Sequence, residues 1–494
     1  MEEEMRSLFI RSFILVTAVL MLQAHLNVIR VPEDFAVIQQ AINASSDGDT
    51  VLVAQNTYYE NINFNGRNIL LTSYYILGND VNYITSTVIN GSQPNHPDTA
   101  SCVLIVSGED SSAILQGFTL TGGTGTKWLD EHGAGTYVEG GGILITLSSP
   151  TIRNNLIVEN EAIRTGAGVT SAGGGGIRVG DGNPRIINNV IASNSGMYGG
   201  GIVLNYTGAI VRNNIIYNNR VYQAVAGVQT FGGGGIWVLA NFGTTPKIIE
   251  NNTIVGNASS GGGGGAAGRG GGLLVWATSI QAANNIIWGN TQATGEQIAP
   301  ISGGSANVTY SLVEGGWTGN GNIDINPNFE ETGFYLSDTS ECIDAGNPDS
   351  VYNDPEDAPG MGKWPAKGTV RNDMGAYGGP YSTQLGDFTI TSVKDGKTGF
   401  IPADFELEQN YPNPFNPSTT IRYSVRSRGE EADGFIILSI YDVLGNEIAT
   451  LVNEKKTAGE YEIEFDASQL SSGVYLYRLS AGSLAQTRKM ILLK

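Results

Sequence analysis

Five asparagine pairs frame this chain. Asn154-Asn155, Asn188-Asn189, Asn213-Asn214, Asn251-Asn252 and Asn284-Asn285 are each followed by three mostly apolar residues, and a further asparagine stands five positions after the second of each pair, at Asn160, Asn194, Asn219, Asn257 and Asn290. A motif held at fixed internal offsets but separated by variable spacings describes a solenoid, in which each repeat buries its apolar side only against its neighbours.

Upstream of each pair a glycine run leads into an apolar strand: GGGILI ending at Ile145, GGGIRV at Val179, GGGIVL at Leu204, GGGIWV at Val238 and GGGLLV at Val275. Stacked rungs lie about 4.8 Å apart. Glycine fits corners where a side chain would strike the next rung or need a positive φ. Asparagine repeated at a corner can bond its amide to the rungs above and below. Strand alternation sends Ile143, Ile145, Ile177, Val179, Ile202 and Leu204 inward, with their counterparts in later rungs, and leaves Leu144, Arg178, Val203, Trp237 and Leu274 as an outward column. Residues 50 to 339 then hold about eight to eleven coils.

Glycine fills 68 of 494 positions without a Gly-X-Y period, which removes collagen. A formal net charge of −20 repels phosphate backbones and excludes nucleic acid as a partner of the whole chain. Cys102 and Cys342 offer neither a disulfide framework nor a metal pair and read as buried thiols. The apolar run at 12–22, after Arg6 and Arg11, is too short for a bilayer. It reads as the core of a signal peptide, 1–24, cleaved after Ala24, and no transmembrane helix is expected in the mature chain.

VPEDFAVIQQAINASSDGDTVLVAQNTYYENINFNGRNILLTS, residues 31–73, resembles the opening of right-handed parallel β-helix proteins of the pectin-lyase-like superfamily, and the NNxIxxN rungs are similar to their asparagine-ladder coils. CIDAGNPDSVYNDPEDAPG and RNDMGAYGGP, within 342–380, resemble the segment that closes such helices. The resemblance implies an all-β domain at 25–380 and no particular activity. Phe35, Ile38 and Ile42 recur at helical spacing after Pro32, so 33–44 is expected to form an amphipathic helix capping the open end.

Glycine clusters vanish after Pro380. A linker at 381–404 leads to period-2 runs at 419–425, 434–443, 447–452, 460–467, 473–481 and 486–493, the pattern of a small β-sandwich at 405–494. LEQNYPNPFNPSTTI, YDVLGNEI, SSGVYLYRL and the terminal KMILLK resemble the type A sorting domain of type IX secretion. That resemblance implies Sec export, passage through the outer membrane of a Gram-negative bacterium by the type IX machinery acting on 405–494, removal of the domain, and release or surface attachment.

Sites of chemistry are sparse. With only His25, His96 and His132, a histidine triad or zinc site is nearly excluded, and no HExxH, GxSxG, P-loop or dinucleotide fingerprint occurs. Between residues 133 and 300 eight bases outnumber six acids, a local +2 that favours an anionic glycan, although solvated arginines on a polar solenoid would look the same. Arg153, Arg212 and Glu250 precede Asn pairs and should share a column two or three rungs apart; a lyase would place a base flanked by carboxylates there, which makes Arg212 and Glu250 the catalytic candidates. Arg178 and Trp237, with Arg153, are the candidates for holding sugar units, unless the loops at 161–173 and 221–232 cover their column. Asp344, Asp349, Asp354 and Asp357 crowd the closing segment together with Asp373. They read either as calcium ligands bridging loops or as a charged, solvated cap, and no other cofactor is called for. The expected function is a surface-delivered β-helix binding extracellular polysaccharide without an assignable catalytic site. The alternatives are a polysaccharide lyase or glycoside hydrolase of the same fold and a non-catalytic adhesin.

Overall fold

The computed structural model describes residues 27–386 apart from 225–227, 242, 244, 261–265 and 331–332, and in the C-terminal part 406–407, 410, 412–425, 434–442, 447–456, 459–481 and 484–493. The expected signal peptide and most of the expected linker lie outside the described residues. The chain divides into two compact units, Met1–Asn328 with Tyr335–Gly386, and Phe329–Phe334 with Asp387–Lys494.

In the first unit the chain winds through three long parallel sheets in turn. The first sheet has ten strands, from Val28–Val31 to Ser305–Thr309; the second has nine, from Asn56–Tyr58 to Leu312–Val313; the third has eight, from Ile62–Asn63 to Ile298–Ile301. Five two-residue strands, from Glu161–Ala162 to Thr291–Gln292, pair along one corner. The rungs keep one register, Ile143 beside Ile177, Ile202, Ile236 and Leu273. This is the expected parallel β-helix, and its inward residues form one continuous buried core from Val31 to Val313.

The two asparagines of each pair divide the work of the corner. The first adopts a left-handed conformation, with φ of 51° to 59° at Asn154, Asn188, Asn213, Asn251 and Asn284, a region that asparagine enters more readily than most residues. The second turns inward and bonds along the stack: Asn155 Nδ2 donates to Asn189 Oδ1 at 3.1 Å, Asn189 to Asn214 at 3.1 Å, Asn214 to Asn252 at 3.0 Å and Asn252 to Asn285 at 3.1 Å. The third asparagines build a parallel ladder from Asn160 to Asn290 that ends on Gln297. Each amide also reaches a main-chain carbonyl of the preceding rung, as Asn189 Nδ2 does to Ile152 O at 2.9 Å, so bent backbone far from water is satisfied. Beside the third asparagines, the glycine run brings rungs into backbone contact. A Cβ on Gly201 would stand 2.6 Å from the carbonyl oxygen of Gly235 in the next rung.

Two additions cover the coil. A small sheet of Ser171–Gly173, Thr136–Glu139, Gly125–Leu129 and Thr99–Ala100, together with Tyr198 and Phe231, lies over the outside of the third sheet. The closing segment after Cys342 runs back along the corner between the first two sheets and is held by the left-handed asparagines. Asn284 Oδ1 accepts from Asn347 N at 2.7 Å, Asn251 Nδ2 donates to Asp373 O at 3.1 Å, Asn213 Nδ2 to Ala376 O at 2.9 Å, and Asn154 Nδ2 to Gln384 O. The capping helix is shorter than expected, Ile38–Ala44, because the Glu60 carboxylate accepts from Ile38 N and Gln39 N at 2.8 and 3.0 Å and so satisfies its first turn there. Both thiols are buried as expected, and burial pushes each up to about 12.

The second unit contains antiparallel sheets of three and four strands whose inner faces share one core, including Ile421, Tyr423, Leu438, Tyr477 and Leu492. Its long strands, Ser418–Val425, Gly434–Tyr441, Glu447–Lys456, Gly459–Asp466, Gly473–Ala481 and Leu484–Leu492, follow the period-2 runs of the sequence.

Gly201→Ala should destabilise the helix by about 1–3 kcal/mol through overpacking. Gly166→Ala, at a glycine with nothing within 4 Å of its would-be Cβ, should change stability by less than about 0.5 kcal/mol. Urea unfolding of the two variants checks this.

Candidate functional site

The outward column of the third sheet is where the sequence places sugar-binding groups, and the register confirms that Arg178, Val203 and Trp237 lie side by side. The column is closed, however. Leu144, Arg178, Val203 and Leu274 have no exposed surface and Trp237 keeps 7 %. Arg178 Nη2 lies 3.1 Å from Glu131 Oε2 and its Nε 2.9 Å from Glu139 Oε2, while Trp237 packs against Tyr198 with ring centroids 5.3 Å apart. Neither can touch a ligand in this arrangement, which corrects the expectation of an open column and realises the alternative of a covered one. The cover was readable in part: KWLD and TYVE flank the turn EHGAG, a hairpin signal, and the two acids that meet Arg178 open that turn and end TYVE. Glu131 also lies just outside the stretch whose charges sum to +2, so the apparent basic surface is partly neutralised by its own cover.

Burial raises the Glu131 carboxyl, but the charge and hydrogen bonds of Arg178 outweigh it and hold the group at about 2. Burial likewise pushes Glu139 up against the pull of Arg178 and the Tyr198 hydroxyl. The network ties the outer sheet to the helix by charge as well as by packing.

On the first sheet, Arg153, Ile187, Arg212 and Glu250 occupy successive rungs of one column. Glu250 is thus immediately beside Arg212, closer than the two or three rungs expected. Arg212 Nη2 and Nε lie 2.5 and 3.1 Å from Glu250 Oε2, and Arg153 Nε donates to Gln116 Oε1 at 2.6 Å. The closing segment lies over the pair, with the Tyr381 ring 5.4 Å from the Arg212 guanidinium and Tyr352 Oη 3.4 Å from Glu250 Oε1. Each side chain of the pair is thus engaged by the other and by the closing segment above it.

Among the acids of the closing segment, Asp344, Asp354 and Asp373 are neighbours held by backbone donors. Asp349 accepts from Val351 N at 3.1 Å at the start of a 3-10 turn, Asp357 sits on an exposed hairpin strand, and Asp344 accepts from Thr369 N at 2.9 Å. Asp373 accepts from Asp344 N and Lys367 N at 2.7 and 2.8 Å, and Asp354 from Asp373 N at 3.1 Å and from Gly379 N. Their lone pairs point at backbone donors, and among the described residues no group of three or more His, Cys, Asp or Glu side chains is arranged to hold a metal. Burial and then the neighbouring Asp373 charge raise Asp354 to about 8, and burial raises Asp373 to about 7.

His132 meets Asp181, Nε2 to Oδ1 at 3.0 Å, and stacks on Tyr206 at 3.5 Å between centroids. No hydroxyl or thiol hydrogen-bonds this imidazole among the described residues, so the pair lacks a nucleophile. The open site is elsewhere. Beside the last rungs, a cleft of about 470 Å³ is lined by Thr291, Gln292, Glu296, Gln297, Glu314 and Trp317, among others. Gln297 Nε2 donates to Glu314 Oε2 at 2.7 Å, and Gly289 N to the same oxygen at 2.9 Å, so this carboxylate is fixed in place. An indole wall with amides, a hydroxyl and carboxylates suits a polyhydroxylated ligand. Sequence reasoning missed it because the repeat ends at Asn290; a lone tryptophan in GGWTG just beyond was the available signal.

Arg178→Ala should cost about 3–5 kcal/mol, since it strands buried carboxylates; equilibrium unfolding measures it. Asp354 and Asp373 hold protons in the fold that the unfolded chain releases, so their contribution to stability should fall as pH rises from the usual 3.8 towards about 8. Asp354→Asn should therefore shrink the loss of melting temperature between pH 5 and pH 8, as calorimetry at the two values will show.

No curated protein and no solved structure matches the chain. Residues 409–493 match the family described as the secretion system C-terminal sorting domain. Among the described residues no helix is long and apolar enough to cross a membrane. The chain is therefore a parallel β-helix that ends in a type IX sorting domain, the mark of a secreted or cell-surface protein.

Proposed function

We propose that the helical unit is a non-catalytic scaffold that binds extracellular polysaccharide at the outer surface of a Gram-negative bacterium. The observation that carries this reading is the cleft beside Thr291–Gln292, where an indole, the exposed Thr291, the partly exposed Gln292 and a fixed carboxylate line one opening. Among the described residues the ionisable side chains lining it are Glu296 and Glu314, so it favours neutral over anionic polymers. The anionic preference suggested by the arginine count loses its support, because Arg178 and Arg212 are paired inside the fold.

One observation favours a second reading, that of a lyase or hydrolase: Arg212, Glu250 and Tyr352 are within contact of one another on the first sheet. Their mutual pairing beneath the closing segment argues for a structural part. Affinity electrophoresis of the purified protein at low salt should show retardation by at least one neutral polysaccharide, weakened several-fold by Gln292→Ala. The same polymers should release no reducing ends. Absence of any retardation would sink the binding reading, and release abolished by Arg212→Ala would establish the enzymatic one.

A further inference from the structure

Three of the large apolar side chains that remain exposed, Val351, Met361 and Trp364, belong to the closing segment, and Trp364 keeps 56 % of its surface in water. Its indole is not a loose side chain. It stacks on Tyr335 at 5.0 Å with 28° between planes, and Tyr335 stacks on Tyr377 at 4.2 Å and 20°. These two rings keep only 7 % and 4 % of their surfaces, so the stack runs from solvent down to the segment pinned by Asn213 and Asn251. The loop carrying the indole is held at both ends: Lys363 N donates to Pro355 O at 2.6 Å, Lys367 N to Asp373 Oδ2 at 2.8 Å and Thr369 N to Asp344 Oδ1 at 2.9 Å. Of the acids that crowd the closing segment, Asp344 and Asp373 thus serve to fix this loop. Over the ring, Lys367 Nζ lies 5.7 Å from the indole centroid and 2.7 Å from Asp338 Oδ1, whose side chain is 90 % exposed.

A flat aromatic held rigid at the surface, with a lysine reaching over it to an exposed carboxylate, matches a pyranose: the exposed part of the indole packs on the sugar's apolar C–H face, and the charged pair bonds its equatorial hydroxyls. Because the stack is already ordered, binding does not have to immobilise it. The lysine and aspartate compensate each other's charge, which favours a neutral sugar. We infer that Trp364, braced by Tyr335 and Tyr377 and flanked by Lys367 and Asp338, is a contact platform for neutral hexopyranose or pentopyranose polymers. This rests on the polysaccharide-binding reading and names a second place, apart from the cleft, where the polymer is held.

The test is affinity electrophoresis of the full purified chain in gels containing mixed-linkage β-glucan, xylan, glucomannan or dextran. Trp364→Ala and Trp364→Leu should each weaken binding at least about tenfold to whichever polymer retards the wild type, whereas Trp364→Phe should stay within about threefold. Melting temperatures of all three should remain near that of the wild type, since the side chain is mostly exposed; Leu keeps apolar bulk without a ring and separates stacking from packing. Wild-type affinity in both Trp364→Ala and Trp364→Leu would overturn the platform and leave the cleft reading standing. A wild type retarded by none of the four polymers would overturn both.

Discussion

The rung-to-rung contact at the corners is the constraint on which everything else rests. Parallel rungs can stack at strand spacing through a bend only if nothing projects between them and if the amides and carbonyls turned away from the ladders find partners. Glycine meets the first condition and the inward asparagines meet the second, each amide donating both along the stack and to the rung behind. This is why two residue types that usually mark loops recur here inside the most buried part of the molecule.

The left-handed asparagines extend the same economy outward. The side chains of Asn154, Asn213, Asn251 and Asn284 receive the closing segment, so at these rungs one residue pair both closes a coil and docks the return of the chain over it. The segment reaches from Asn284 back to Asn154, which makes the late part of the domain a structural partner of its early rungs. In the same way the hairpin between 125 and 139 brings Glu131 and Glu139 down on Arg178. Charges that look available along a repeat are thereby internal bonds between layers.

That layering redirects the functional reading. A bare solenoid would present Arg178 and Trp237 on one face and Arg153, Arg212 and Glu250 on another, and either face would suit a charged polymer. With both covered, the polar surface left with an aromatic wall is at the end of the coil, where the repeat stops and Trp317 stands over the last rungs, and on the closing segment, where Trp364 faces water. The sorting domain marks the chain as secreted or cell-surface.

Local rules made much of the architecture legible. The period of the asparagines, the glycine corners, the inward columns and the strands of the sorting domain follow from spacing and alternation, because a repeat imposes the same short-range geometry at every rung. The extent of the capping helix was less legible, since Glu60, a residue from a different turn, supplies its cap. The site was the least legible part. Whether an outward residue meets solvent depends on insertions between rungs and on a segment more than a hundred residues distant, and periodicity carries no information about where these fold back. The sequence alone therefore determined which side chains leave the lumen. Only the tertiary structure decided which of them reach water, because burial is a property of the layers that come to rest on a surface rather than of the strand that bears it.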